Sequence, residues 1–322
     1  VRRWVVGGLV AAVGVGALVV TVGGVRDTVT PFLAPDVCEA TVDGRSVQLS
    51  PEQAENAGLI TAIAVARGLP ARAASIALAT AYQESDLRNV DHGDRDSLGL
   101  FQQRPSQGWG TEEQVQDPTW AANRFYDALQ RIDGYRELEI TQAAQAVQRS
   151  GFPEAYADHE ADARVLASAL TGNSPHSFSC RIDPPGDDGD LTLSSAGLTS
   201  RADLVLADLR TVFGDVAVGG FEPGGVSTGH SEGSAHYEGR AIDVFVRPVN
   251  AANKTRGWAM AHYLVSQAER LDVSTVIFDG RIWTARRSAS GWRDYSPDTT
   301  GRDRATARIL EHRDHVHVDV ER

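Results

Sequence analysis

Two stretches hold the residue types best suited to chemistry: Ser234-Ala-His-Tyr-Glu-Gly-Arg-Ala-Ile-Asp243 and the later Asp314-His-Val-His317. His236 and Asp243 are both good zinc ligands, and Gly239 with the small Ala241 suits a tight turn entering a strand. Three protein ligands plus one water is the open arrangement of a catalytic zinc. The third ligand must come from elsewhere, and the dense cluster His312, His315 and His317 can supply it. Six of the nine histidines lie between His230 and His317, so the enrichment is local. The plain alternative is a polar turn followed by an ordinary strand, because isolated motifs produce false matches.

In His315-Val-His-Val-Asp-Val320 polar residues alternate with valine. That period of two predicts a strand with His315, His317 and Asp319 on one face and the valines toward a core. His315 is therefore expected beside a metal. Asp314 has the opposite parity and can serve as a base only if the backbone is irregular where the strand begins. His230 and His312 read as surface residues, and His262 as a helix-face residue without a catalytic role.

At these residues the chain resembles the zinc D,D-carboxypeptidase and L,D-endopeptidase family, which includes hedgehog-like and lysostaphin-like folds. The family pattern Ser-x-His-x-x-Gly-x-Ala-x-Asp is matched at every fixed position from Ser234 to Asp243, and Asp314 stands three residues before His317. The resemblance implies that His236, Asp243 and His317 hold Zn2+ and that Asp314 is the base that activates water. It thus favours Asp314 where strand parity favours His315, and both remain candidates. It covers roughly the last third of the chain.

A second candidate site lies upstream. Ser50-Pro-Glu-Gln53 reads as a helix start with a serine N-cap, proline in the first turn and a capping box. A following helix from Ala71 to Gln83 is apolar and leads into Glu84. Partial desolvation and the negative end of a helix dipole would both raise the pKa of a carboxyl there, as a general acid at neutral pH requires. A polar loop, Asp91 to Asp96, precedes Ser97-Leu-Gly-Leu-Phe-Gln-Gln103, and further helices are expected to Leu170. A solvated helix-end glutamate is the alternative reading of Glu84 taken alone.

Glu84-Ser85, Gly99-Leu-Phe-Gln102 and the Ala155-Tyr156 neighbourhood resemble the lysozyme-like superfamily, in particular goose-type lysozymes and lytic transglycosylases. The resemblance implies that Glu84 protonates the glycosidic oxygen between the two amino sugars of peptidoglycan, with Ser85, Gln102 and Tyr156 positioning the sugar. The sequence departs from the family wording after Gln102 and before Tyr156. Asp91, Asp94 and Asp96 are candidates for a second carboxylate, and none is singled out, so hydrolysis and lytic transglycosylation both stay open.

The chain has 322 residues and a net charge of -12. The acidic balance argues against nucleic acid as a partner. Residues after Arg2-Arg3-Trp4 run uncharged to Val25, about 22 residues, enough for a membrane-crossing helix. That predicts a single-pass anchor over 1–27, with the N-terminus inside and the remainder extracytoplasmic. Cys38 and Cys180 are the only cysteines, and a disulfide between them would clamp the ends of the first globular region.

Polar, Pro/Gly-rich residues over 172–198 read as a linker. The expected fold is mixed: a membrane anchor helix, an all-α lysozyme-like domain over 42–171, then an α+β zinc-peptidase-like domain over 199–322 with an antiparallel sheet. The expected function is peptidoglycan remodelling at the membrane-proximal wall, by glycan cleavage and zinc-dependent peptide hydrolysis. The alternatives are a wall-binding protein without catalysis and a metal-binding surface protein.

Overall fold

Strands β1 (Val37–Val42) and β2 (Arg45–Leu49) form a hairpin around Asp43-Gly44. Both turn residues have positive φ, 50° and 79°, which matches the right-handed twist of the flanking strands. The structure is a computed structural model and describes residues 36–186 and 189–322. Helix α1 (Pro51–Ala66) starts at the Ser50 cap, where Gln53 N donates to Ser50 Oγ and Ser50 N donates back to Gln53 Oε1. Helix α2 (Ala71–Ser85) runs through the middle of the helical half and is buried from Ala73 to Ala81. Its alanines let the neighbouring helices approach closely.

Helices α3 (Glu112–Gln116), α4 (Pro118–Leu129), α5 (Ile140–Gln148) and α6 (Glu160–Leu170) complete this half. Strand β3 (Phe178–Arg181) then returns to β1, opposite to β2, with Cys38 facing Cys180. These two cysteines form a disulfide across 142 positions of sequence. In the chain-entropy account, closing a loop of that length stabilises the fold by about 5 kcal/mol.

The second half opens with α7 (Ser200–Phe213) and the short β4 (Val218–Gly219). It continues through β5 (Ala241–Phe245), α8 (Ala251–Ser266), β6 (Val273–Phe278), β7 (Arg281–Thr284), β8 (Arg293–Asp294), α9 (Arg304–Leu310) and β9 (His315–Val320). The six strands lie in the order β4-β5-β9-β6-β7-β8, antiparallel at every pairing. On β9, Val316, Val318 and Val320 are buried. Helices α7 and α8 contact the sheet, so one face carries the apolar core while the other is left for polar groups.

The helical half and the sheet half share a core, and residues 36–322 form one compact unit. Gly58 on α1 lies so close to α8 that an added Cβ would stand 2.1 Å from Ser266 Oγ. Gln267 Nε2 donates to Glu55 O at 3.0 Å, and His262 Nδ1 donates to Ala169 O at 2.8 Å. Trp283 and Trp292 donate their indole N–H groups to Cys180 O and Phe178 O, so β3 is held from both sides. This strand falls inside the segment whose composition reads as a linker.

Two expectations are corrected. The region before residue 172 is not all-α, because β1 and β2 pair with β3 in a three-stranded sheet; the fold is mixed α/β with antiparallel sheets. The anchor expected over residues 1–27 lies outside the described residues, and among the described residues no helix is long and apolar enough to cross a membrane. The single-pass membrane placement is therefore withdrawn.

Gly58→Val should lower stability by about 1–3 kcal/mol, the usual effect of overpacking a tight contact. Because the contact joins the halves, hydrogen exchange should speed up in α2 and in β9 together. Faster exchange confined to one half would contradict a shared core.

Candidate functional site

The polar face of the sheet collects the residues of the two chemical stretches. Antiparallel register places Asp243 on β5 directly opposite His317 on β9, with Ala241 opposite Asp319 and Phe245 opposite His315. All six side chains share one face because the strand period is two. His236 arrives from a 3-10 turn, Ala235–Glu238, capped by the Ser234 hydroxyl and closed by Gly239. Gly239 takes φ +68°, and an added Cβ would stand 2.5 Å from a Leu193 methyl, so the turn requires glycine twice over.

Three donor atoms converge. His236 Nε2 is 3.1 Å from His317 Nδ1 and 3.3 Å from Asp243 Oδ1, and His317 Nδ1 is 3.0 Å from Asp243 Oδ1. Tetrahedral bonds of about 2.0–2.1 Å would put such donors about 3.3 Å apart, so the observed triangle is close to a ligand set in size. The outer ring nitrogens are also fixed. His236 Nδ1 donates to Gly220 O at 2.7 Å, and His317 Nε2 donates to Asp319 Oδ1 at 2.7 Å. Each bond leaves the other ring nitrogen facing inward, the outer-sphere arrangement that orients metal-binding histidines. Two imidazoles and a carboxylate suit several first-row divalent ions.

The electrostatics agree with a place for positive charge. Burial favours the protonated Asp243 carboxyl, but the His236 and His317 rings beside it prevail and hold it well below the usual carboxylate range. Burial opposes protonation of His317, yet Asp319 and Asp243 outweigh it and raise the ring to about 10. The proton so held lies at Nδ1, between the donors that would otherwise share a cation.

His315 and Asp314 form a second pair beside this cluster. His315 Nδ1 donates to Asp314 Oδ1 at 2.8 Å, which directs Nε2 toward Asp243 Oδ1, 3.6 Å away. The other Asp314 oxygen accepts two bonds from Arg247, each 2.7 Å. Burial raises the Asp314 pKa, but His315 and Arg247 overcome it and keep the carboxyl below its ordinary value. Asp314 precedes β9, so strand parity does not constrain it, and its backbone carbonyl accepts from Val246 N. Both of its oxygens are occupied, whereas His315 Nε2 faces the cluster.

Two histidines read from sequence as surface residues belong here. The His230 ring stacks on His236 with centroids 3.9 Å apart, and His230, His236 and Asp243 can offer donor atoms within 4.8 Å of one another. His312 lies 4.6 Å from the His315 ring, and burial together with the neighbouring His317 and His315 pushes it down to about 3. Gly220 was also missed. Its φ is +82°, and an added Cβ would fall 2.2 Å from His236 Cε1. The only sequence signal for it was the glycine-rich stretch before His236. The cluster opens into a cleft of about 640 Å³ walled in part by Tyr295, Arg302 and Leu310.

Glu84 ends α2 in the other half. Burial raises its pKa, opposed by hydrogen bonds from Tyr156 and Gln148. Tyr156 Oη donates to Glu84 Oε1 at 2.7 Å, so these two are brought together. Ser85 and Gln102 point elsewhere. Ser85 Oγ donates to Leu100 O at 2.8 Å, and Gln102 Nε2 donates to His92 O and Gly99 O at 3.2 Å. Both tie down the loop over 92–102 that follows the acid.

Among known sequences, one likeness stands out. Residues 194–309 match the family described as VldE, C-terminal domain. The match spans under half of the chain, includes His236 and Asp243, and stops before Asp314, His315 and His317. No curated protein matches the chain.

A divalent ion entering this cluster has to displace the extra proton of His317. Affinity should therefore rise with pH until about 10, where that proton is lost. Calorimetric titration with Co(II) in buffers of different ionisation enthalpy should show proton release at neutral pH. Asp319→Asn should weaken binding about 10–100-fold. Binding without proton release would contradict the assignment of His317.

Proposed function

We propose that the chain is a bifunctional peptidoglycan hydrolase, cutting stem peptides at a zinc site on the sheet and glycan strands at Glu84. The observation that carries the peptidase reading is the triangle of His236 Nε2, Asp243 Oδ1 and His317 Nδ1, with both outer ring nitrogens already committed. These three residues would hold zinc. When bound, zinc would supply Lewis-acid polarisation of the scissile carbonyl and a more acidic water.

His315 takes the proton-transfer role. Its Nδ1–H is committed to Asp314, so Nε2 carries the lone pair and lies on the cluster side. At Nε2 it accepts a proton from the attacking water and returns one to the leaving amine. Asp314 fixes that tautomer and orientation, and Arg247 keeps Asp314 ionised. Asp314 is thus a positioning residue, which reconciles the parity of the strand with the family resemblance. His230 stacks on His236 and restrains the ring.

In the helical half, Glu84 is the acid. Burial keeps it protonated to higher pH than an exposed glutamate, while Tyr156 Oη donates to Oε1 and holds the carboxyl in place. The proton goes to the glycosidic oxygen as the bond breaks. Both resemblances lead to one polymer, which is why a single chain with both sites is read as acting on the wall.

Mass spectrometry of digested wall separates the two activities. Glu84→Gln should abolish glycan products and leave peptide products. His236→Ala should do the reverse, and His315→Ala should slow peptide cleavage by about 10²–10⁴-fold. If neither Glu84→Gln nor His236→Ala alters the digest, the chain holds the wall without cutting it.

The pH profile has a defined sign. Glycan cleavage needs protonated Glu84, so it falls as pH rises through the raised pKa. Tyr156→Phe removes a bond that favours the carboxylate, so the alkaline limb should move to higher pH. Movement to lower pH would exclude Glu84 as the acid.

A further inference from the structure

A separate cleft of about 720 Å³ in the helical half is lined by Trp109, Arg124, Arg131, Gln148 and Arg149 among others. Gln148 connects it to the acid: its amide donates to Phe101 O at 2.8 Å, and its side chain is near enough to the Glu84 carboxyl to favour the ionised form. Three arginines line this cleft and no acidic side chain does. In a chain with 43 acidic and 31 basic residues, such a lining runs against the overall balance.

The arginines differ in how they are engaged. Arg124 Nε reaches Trp109 O at 3.5 Å and its Nη1 lies 3.7 Å from Asp127. Among the described residues, the Arg131 and Arg149 side chains make no ion pair or hydrogen bond. Arg149 also ends α5 with φ +54°, in the left-handed region where glycine or asparagine is the ordinary choice. The guanidinium fork matches a carboxylate in two-point contact, and the half-buried Trp109 offers an apolar face to a sugar ring.

We propose that this cleft binds carboxylates of the stem peptides borne by the glycan strand, fixing which sugar of the polymer is presented to Glu84. The inference rests on the reading of Glu84 as a glycan-cleaving acid and adds a substrate requirement to it: strands carrying peptides are preferred to bare ones. Arg131 and Arg149 supply the charge, and Trp109 packs against the sugar that bears the peptide.

The test is calorimetric titration of the full chain carrying Glu84→Gln, so that the ligand stays intact. The probes are a disaccharide tripeptide from the wall and a chitin oligosaccharide of the same sugar number. The disaccharide tripeptide should bind at least about tenfold more tightly, a difference of 1.4 kcal/mol. Adding Arg131→Ala with Arg149→Ala should remove that preference and leave chitin oligosaccharide binding unchanged. Arg149→Gly serves as the folding control. It relieves the left-handed backbone, so it should keep or raise the melting temperature while weakening only the peptide-bearing ligand.

Unchanged affinity in the double variant would overturn the proposal. So would complete displacement of the disaccharide tripeptide by an equal concentration of inorganic phosphate, which would mark a general anion site. A failed cleavage reading looks different: the wall digest would not respond to Glu84→Gln, whatever the arginine variants do to binding.

Discussion

The pairing of Asp243 with His317 across β5 and β9 is the constraint from which the site follows. The two residues are 74 positions apart in sequence, and backbone hydrogen bonds of the sheet bring them opposite each other on one face. A slip of one residue would turn every polar group on β9 into the core and expose the valines. The buried Val316, Val318 and Val320 therefore determine where the histidines point. His236 needs a separate device, a 3-10 turn whose path depends on Gly239 and whose ring orientation depends on the Gly220 carbonyl.

Charge in this region is compensated pair by pair. Asp243, His317 and Asp319 lie in one line of hydrogen bonds, and Asp314 sits between His315 and Arg247. Buried carboxylates remain ionised here only because each has a donor on the charged side, as low-dielectric surroundings require. The same pairing sets the tautomers: His236 and His317 turn different ring nitrogens inward because their outer partners stand on different sides. The direction of each lone pair is thus written in the second layer of contacts.

The helical half and the sheet half are joined by small residues and buried polar bonds rather than by a flexible hinge. Gly58 against Ser266, His262 to Ala169 and the two tryptophans on β3 leave little freedom at the junction. The disulfide between Cys38 and Cys180 holds β3 to β1, and β3 is also the strand on which the sheet half rests. Glu84 and the cluster of His236, Asp243 and His317 therefore belong to one packed body. On the proposed reading, a strand of wall would meet both sites on a rigid surface.

Local pattern alone determined several features. The Ser50 capping box, the alternation on β9, the Asn250 cap of α8 and the turn at Gly239 depend on residues within a few positions of one another, and short-range sterics and hydrogen bonds act at that range. The convergence of His236, Asp243 and His317 was legible only through a family pattern, because nothing local links residues so distant along the chain. Tertiary packing decided the rest. It placed His230 and His312 in the site, gave Asp314 to His315 and Arg247, and turned Ser85 and Gln102 toward backbone carbonyls. It also made a sheet strand of Phe178–Arg181, where a polar, glycine- and proline-rich composition predicts none. Composition reports how well a segment tolerates water; whether it pairs depends on an open edge, here that of β1, more than a hundred positions away.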